Sequence, residues 1–153
     1  MYDSIIKAKS IDQVFGKSDG VIVFYPNFQS GNTTSGHYVA LIRNKKNNHI
    51  YFYDSYGFLP DQAKKFAKDR GSLYSDYGGN NKLIELLLKS KYNIDYSPFH
   101  HQEMSDEIAT CGRHALMRNL WKHLTNDQYN QAILHWSRKL DKTPDEFVTT
   151  MFN

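Results

Sequence analysis

The 153-residue chain carries a single cysteine, Cys111, together with seven histidines. A thiol attacks only as its thiolate, so it needs surroundings that favour the anion. Cys111 stands in "DEIATCGRHALM" (106–117), where a helical pattern begins: Ala115, Leu116, Leu120, Trp121 and Leu124 fall on one face. Unpaired N–H groups and the dipole at a helix start lower a thiol pKa. Gly112 leaves room for a substrate to approach the sulfur, and the backbone N–H of Cys111 is placed to donate to an oxyanion. The competing reading of the same residues is a small buried thiol that happens to open a helix.

A nucleophilic cysteine needs a base, and the base needs an orienter. His37 follows a polar, glycine-containing loop at the start of a strand pattern, and Asp54 lies near the end of the next. Strands over 37–43 and 49–55, joined by the turn-forming "NKKNN", form a hairpin that pairs position i with roughly 92 − i. His37 then faces Ser55, and Asp54 is within reach of its ring. The same Asp54 also fits a turn in "YDSYG".

These residues need elements to position them. "SIDQVF" (10–15) reads as a short helix capped by Ser10, "GVIVFYP" (20–26) as a buried strand and "NFQSGNTTSG" (27–36) as a loop. Helices are expected over 60–71, which starts with Pro and ends with Gly, and over 80–91. A strand is expected over 92–99, and helices from Cys111 to Leu124, over 125–140 and over 143–152. The order predicts one α+β domain spanning 1–153, with a mixed or antiparallel central sheet flanked by helices and Cys111 at the N-terminus of a central helix.

Composition bounds the function. Apolar residues make up 40% of the chain, enough for a folded core. The net charge of +3 permits contact with nucleic acid, but no long Lys/Arg run argues for it. One cysteine excludes an intramolecular disulfide and fits a reducing compartment. "MYDSIIKAKSID" lacks the apolar core of a signal peptide, and no stretch approaches the roughly 18 apolar residues of a membrane span.

The order His, Asp, Cys, carried by "GHYVALI" (36–42), "YFYDSYG" (51–57) and "TCGRH" (110–114), resembles the adenain-like cysteine proteases. That group includes the adenovirus maturation protease and the ubiquitin-like-protein-specific proteases. "ATCGRHALMRN" is most similar to the maturation proteases of large DNA viruses and virophages. The resemblance covers roughly 37–120. It implies a His37–Asp54–Cys111 triad, with the Gln102 amide and the Cys111 N–H as the oxyanion hole. Tyr38, Tyr56 and Gly112 would bound the substrate groove, and no metal or cofactor is implied. Gln102 stands nine positions before Cys111, a longer spacing than is usual in the group.

The resemblance further implies cleavage of viral structural precursors after small, Gly-containing motifs, in the host cytoplasm, a viral factory or the virion. A ubiquitin-like tail is the alternative substrate. A DNA or peptide activator stays open, but not one linked by a disulfide, because the single cysteine is already assigned. Two other readings compete. A zinc site would use Cys111, His114 and the His100–His101 pair, yet this matches no common zinc spacing. A non-catalytic binding module would leave His37, Asp54 and Cys111 apart, and Cys111 slow to alkylate.

Overall fold

The computed structural model describes residues 2–30, 33–62, 81–105 and 107–153. Their elements run α1 (Tyr2–Lys7), α2 (Ile11–Phe15), β1 (Gly20–Ser30), β2 (Thr33–Asn44), β3 (His49–Tyr53), α3 (Lys82–Leu88), β4 (Asn93–Tyr96), α4 (Cys111–Leu120), α5 (Asn126–Lys139) and α6 (Pro144–Met151). The sheet has the order β1-β2-β3-β4. β1, β2 and β3 are antiparallel neighbours, and β4 joins β3 in parallel. A parallel neighbour requires a crossover, and α3 lies in that connection. The domain is therefore α+β with a mixed sheet, as the order of patterns predicts.

Alternation on the strands makes two cores. Val39 and Leu41 of β2 and Ile50 and Phe52 of β3 pack with Ile5, Ile11, Phe15 and the leucines of α3. Ala40 and Tyr53 face the other way and pack with Ala115 and Met117 of α4, Tyr129 and Ile133 of α5, and Phe147 and Val148 of α6. Both faces of the sheet are thus covered, which fixes the strands that carry the site. Helix α1 carries no strong periodic signal; it is held by Ile5, which is fully buried under the sheet.

Caps set the later helices. Thr125 and Thr143 each close a reciprocal capping box, with Gln128 and Glu146, and Pro144 occupies the first turn of α6. Each such cap contributes about 1 kcal/mol. Arg118 is buried at the end of α4. Its guanidinium donates to Trp121 O at 3.1 Å, Leu124 O at 2.9 Å and Asn126 Oδ1, tying α4 to the start of α5. Burial pulls its pKa down to about 10.

Several boundaries differ from the sequence pattern. Most of the expected loop over 27–36 is instead the far end of the β1–β2 ladder, which runs on to Ser30↔Thr33. Pro26, which cannot donate, is absorbed by a register shift between Pro26 and Phe28, and pairing resumes beyond it. Gly36 belongs to this ladder because a Cβ there would run into the Phe24 ring and the Tyr25 carbonyl. The strand expected over 92–99 shortens to Asn93–Tyr96: Ser97 still donates to Phe52 O at 3.0 Å, then Pro98 offers no N–H. Residues 60–62 form a turn, and the rest of the helix expected over 60–71 lies outside the described residues.

Candidate active site

The β2–β3 pairing runs one residue further along than expected, with Ala40 opposite Tyr53. His37 is therefore not the opening residue of its strand. It is the fifth residue of β2, and it is 6% exposed. Extending the register past the end of β3 sets it against Tyr56 rather than Ser55. The ring stacks on Tyr56, with centroids 5.2 Å apart and planes 17° from parallel.

Asp54 follows the last residue of β3 and is 1% exposed. It does two things, as its sequence setting allows. As a turn residue, its carbonyl accepts the Gly57 N–H at 2.9 Å, and its Oδ1 accepts the Tyr56 N–H at 2.8 Å. Its second oxygen, Oδ2, meets His37 Nε2 at 2.8 Å. One carboxylate thus shapes the turn and orients the imidazole.

Cys111 is the first residue of α4 and is partly exposed. Its thiol is hydrogen-bonded to the His37 side chain. Burial pushes the thiol pKa up, but the His37 hydrogen bond and charge, together with backbone hydrogen bonds from Tyr38 and Gly112, outweigh it and leave it below its ordinary value. At His37 burial likewise opposes the charged form, yet Asp54 and Cys111 raise the imidazole to about 9. The two shifts have the signs of an imidazolium–thiolate pair.

Tyr38 and Gly112 lie together: a Cβ on Gly112 would sit 3.4 Å from the Tyr38 ring, which also leans on Phe24 with centroids 4.6 Å apart. Gln102 is buried on the other side, against the Asp54 turn. Its backbone N–H donates to Ser55 O at 3.0 Å, and its Oε1 accepts Ser55 Oγ–H at 2.7 Å. Its Nε2 donates to Tyr56 Oη and to Ile108 O, both at 3.0 Å. The chain thus brings His37, Asp54 and Cys111 into one hydrogen-bonded row, with Tyr56 linking that row to Gln102. A cleft of about 540 Å³ lies between the 103–110 connection, α4 and α6, lined by Glu103, Glu107, Thr110, Arg113 and Glu146 among others; His37, Asp54 and Cys111 do not line it.

His114, weighed as a zinc ligand, is fully buried and turned to Asp145, with Nε2 2.9 Å from Oδ1. His101 is also committed: Nδ1 meets Tyr53 Oη at 3.0 Å and Nε2 meets Asn130 Oδ1 at 2.8 Å. Burial and the neighbouring histidines push His101 down to about 4. Among the described residues, no three His, Cys, Asp or Glu side chains are grouped to hold a metal ion.

The sequence pattern passes over Asp145. In "TPDEF" an acid in the first turn of a helix reads as a simple complement to the dipole. In the fold its Oδ2 accepts the Glu103 N–H at 2.9 Å, while Oδ1 takes the hydroxyl of Thr110 and the His114 ring. Nothing in the local pattern signals that three partners converge there.

Fold and site together define an α+β protein with a cysteine, a histidine and an aspartate in one row at an end of its sheet. No protein-family model matches the chain. It is similar to uncharacterized protein V9 of Sputnik virophage, with 29% identity over 153 residues, covering 97% of this chain and 82% of that protein. The similarity points to a virophage-related protein and a viral setting. Among the described residues, no helix is long and apolar enough to cross a membrane.

Proposed function

We propose that the chain is a cysteine endopeptidase that matures viral precursor proteins by cutting at small, Gly-containing motifs. The observation that carries this reading is the imidazole of His37, whose Nε2 meets Asp54 Oδ2 at 2.8 Å and whose side chain also interacts with the Cys111 thiol. His101 also has both ring nitrogens engaged, but by Tyr53 and Asn130. What sets His37 apart is that its partners are a carboxylate and a thiol, the pair a thiol-activating base needs. The thiol is also partly exposed, so a substrate can reach it.

In this reading the Cys111 thiolate adds to a peptide carbonyl. The developing oxyanion takes hydrogen bonds from the Cys111 N–H and from Gln102, whose Nε2 exchanges its Tyr56 contact for the substrate oxygen. Protonated His37 gives its proton to the leaving amine as the C–N bond breaks and the thioester forms. Water, deprotonated by His37, then cleaves the thioester and returns the thiol. The Tyr38 ring over Gly112 narrows the approach and favours small side chains next to the scissile bond. The virophage similarity supports the viral setting of this reading.

The test is covalent labelling. A peptide vinyl sulfone ending in glycine is expected to modify Cys111 at pH 6–7, detected by intact mass. Cys111→Ser and His37→Ala are expected to abolish cleavage of a glycine-containing fluorogenic peptide. A folded protein whose Cys111 stays unmodified refutes the reading. Cleavage confined to a ubiquitin-like Gly-Gly tail moves the substrate from a viral precursor to a deconjugation target.

A further inference from the structure

Nine positions separate Gln102 from Cys111, and the connection between them is closed by one side chain from the C-terminal helix. Asp145 lies in the first turn of α6 and is 8% exposed. Its Oδ2 accepts the N–H of Glu103, the residue after Gln102, at 2.9 Å. Its Oδ1 accepts the hydroxyl of Thr110, the residue before Cys111. The same Oδ1 meets His114 Nε2 at 2.9 Å, one turn into the helix that Cys111 opens. The two ends of the loop are therefore held on one carboxylate. Inside it, Gln102 Nε2 donates to Ile108 O at 3.0 Å, and Ile108 N–H donates to Ser105 O at 3.2 Å.

The anchor is itself fixed. Thr143 and Glu146 close a capping box around the first turn of α6, and Phe147 and Val148 are buried in the core shared with α4 and α5. A carboxylate that accepts hydrogen bonds from neutral donors in a half-enclosed site fixes their relative positions more firmly than water does.

We propose that Asp145 is the positioning residue that sets Gln102 against Cys111. Its carboxylate replaces the short sequence spacing that would otherwise bring an amide and a thiol to one oxyanion. It touches neither substrate nor the reacting atoms. The inference rests on the cysteine-peptidase reading above, since only there do Gln102 and Cys111 act on the same oxygen.

Two pairs of variants of the full chain test it, read by kcat and KM on a glycine-containing fluorogenic peptide and by iodoacetamide alkylation of Cys111 at pH 6. Asp145→Asn keeps the shape but places a donor against one of the donors it held. It is expected to lower kcat at least tenfold while KM moves less than threefold. In a Gln102→Ala background the same change is expected to cost less than threefold, because the partner it positions is already gone. Thr110→Val removes one of the two Cys111-side bonds, leaving the His114 contact, and is expected to lower kcat about fivefold, with Thr110→Ser restoring it to within twofold.

A loss confined to KM makes Asp145 a wall of the adjoining cleft and overturns the proposal. So does an equal kcat loss with and without Gln102, which is what a general effect on the fold gives. Should Asp145→Asn not fold, the Thr110 pair decides: Val and Ser behaving alike overturns the proposal. Wild-type protein that neither cleaves nor alkylates at pH 6 refutes the peptidase reading, and the inference with it. Active wild-type protein with unaffected variants refutes the inference alone.

Discussion

Asp54→Ala isolates the electrostatics of the row from its accessibility. His37 rises from 6.5 to about 9 against the effect of burial, with Asp54 and Cys111 supplying the lift. That rise corresponds to a net preference of about 3 kcal/mol for the imidazolium. The Asp54 contact is 2.8 Å long, with side-chain exposures of 8% and 1%, so solvent screens it little. A charge-assisted hydrogen bond of this kind is worth about 1.5–3 kcal/mol, comparable to half or more of that net rise. Without it, burial acts on His37 with less opposition, the ring holds its proton less well, and the thiol loses its cationic neighbour. The thiolate population at pH 6 is then expected to fall about 10- to 100-fold, following the same energy. The assay is the rate of iodoacetamide alkylation of Cys111 from pH 5 to pH 10. The variant is expected to be 10- to 100-fold slower at pH 6 and equal to wild type near pH 10, where the thiol ionises unaided. His37→Ala is expected to give the same converging profile, and turnover is expected to fall less in Asp54→Ala than in His37→Ala. Asp54→Asn retains an acceptor for the Tyr56 N–H and so controls for collapse of the turn. A variant within twofold of wild type at pH 6 refutes the reasoning. So does a rate ratio that stays constant across pH, since that reports access to the sulfur and not its ionisation.

Three other outcomes follow from the same geometry. Gln102→Ala is expected to lower kcat by about 10²-fold, the usual cost of one oxyanion donor, and an unchanged kcat assigns the hole to other groups. His101 is held near 4, chiefly by burial, so the folded state refuses a proton that the unfolded chain accepts at 6.5. Its contribution is complete above pH 6.5 and is lost as pH falls toward 4. His101 alone is expected to cost about 2 kcal/mol at pH 5 relative to pH 7, partly offset by about 1 kcal/mol from the raised His37. In urea unfolding His101→Gln is expected to be more stable relative to wild type at pH 5 than at pH 7 by about 2 kcal/mol. Arg118→Met is expected to cost about 3 kcal/mol in the same assay, because the carbonyls of Trp121 and Leu124 lose their donor inside the fold. A loss under 1 kcal/mol means that water satisfies them.

The parts of the site that were legible in the sequence are those encoded by local pattern. Cys111 opens a helix as expected, but the buried face is His114, Ala115, Met117 and Arg118, while Leu116 and Leu120 of the expected apolar face are exposed. Asp54 ends a strand because "YDSYG" is a turn. A hairpin then has to bring the start of one strand to the end of the next, so His37 and Asp54 meet even though the expected register is off by one. That single residue mattered for Tyr56. The observed register sets its ring over His37, a contact the expected pairing gave to Ser55. The extended β1–β2 ladder was illegible because Pro26 and the polar run after it are also what a loop looks like. Asp145 was illegible for a different reason: its three partners lie 31 to 42 residues away, and its own neighbourhood explains it as a helix-start acid.

In the proposed site, the long spacing between Gln102 and Cys111 need not keep the two donors apart. An oxyanion hole requires two donors at fixed separation, but it does not require a fixed number of residues between them. Here the Gln102 backbone is fastened to the Asp54 turn through Ser55, and Cys111 is fastened to β2 through His37 and Tyr38. Both proposed donors are thus referenced to adjacent strands of one sheet, and the sheet is packed on both faces. The intervening loop need only return to its own starting point, and a carboxylate from α6 holds it there. Loop closure costs only about 0.6 kcal/mol for each doubling of length, so added residues are cheap once the ends are anchored. What the geometry constrains is the anchors: Ser55, Thr110 and Asp145 are the positions where substitution is expected to cost more than lengthening the loop between them.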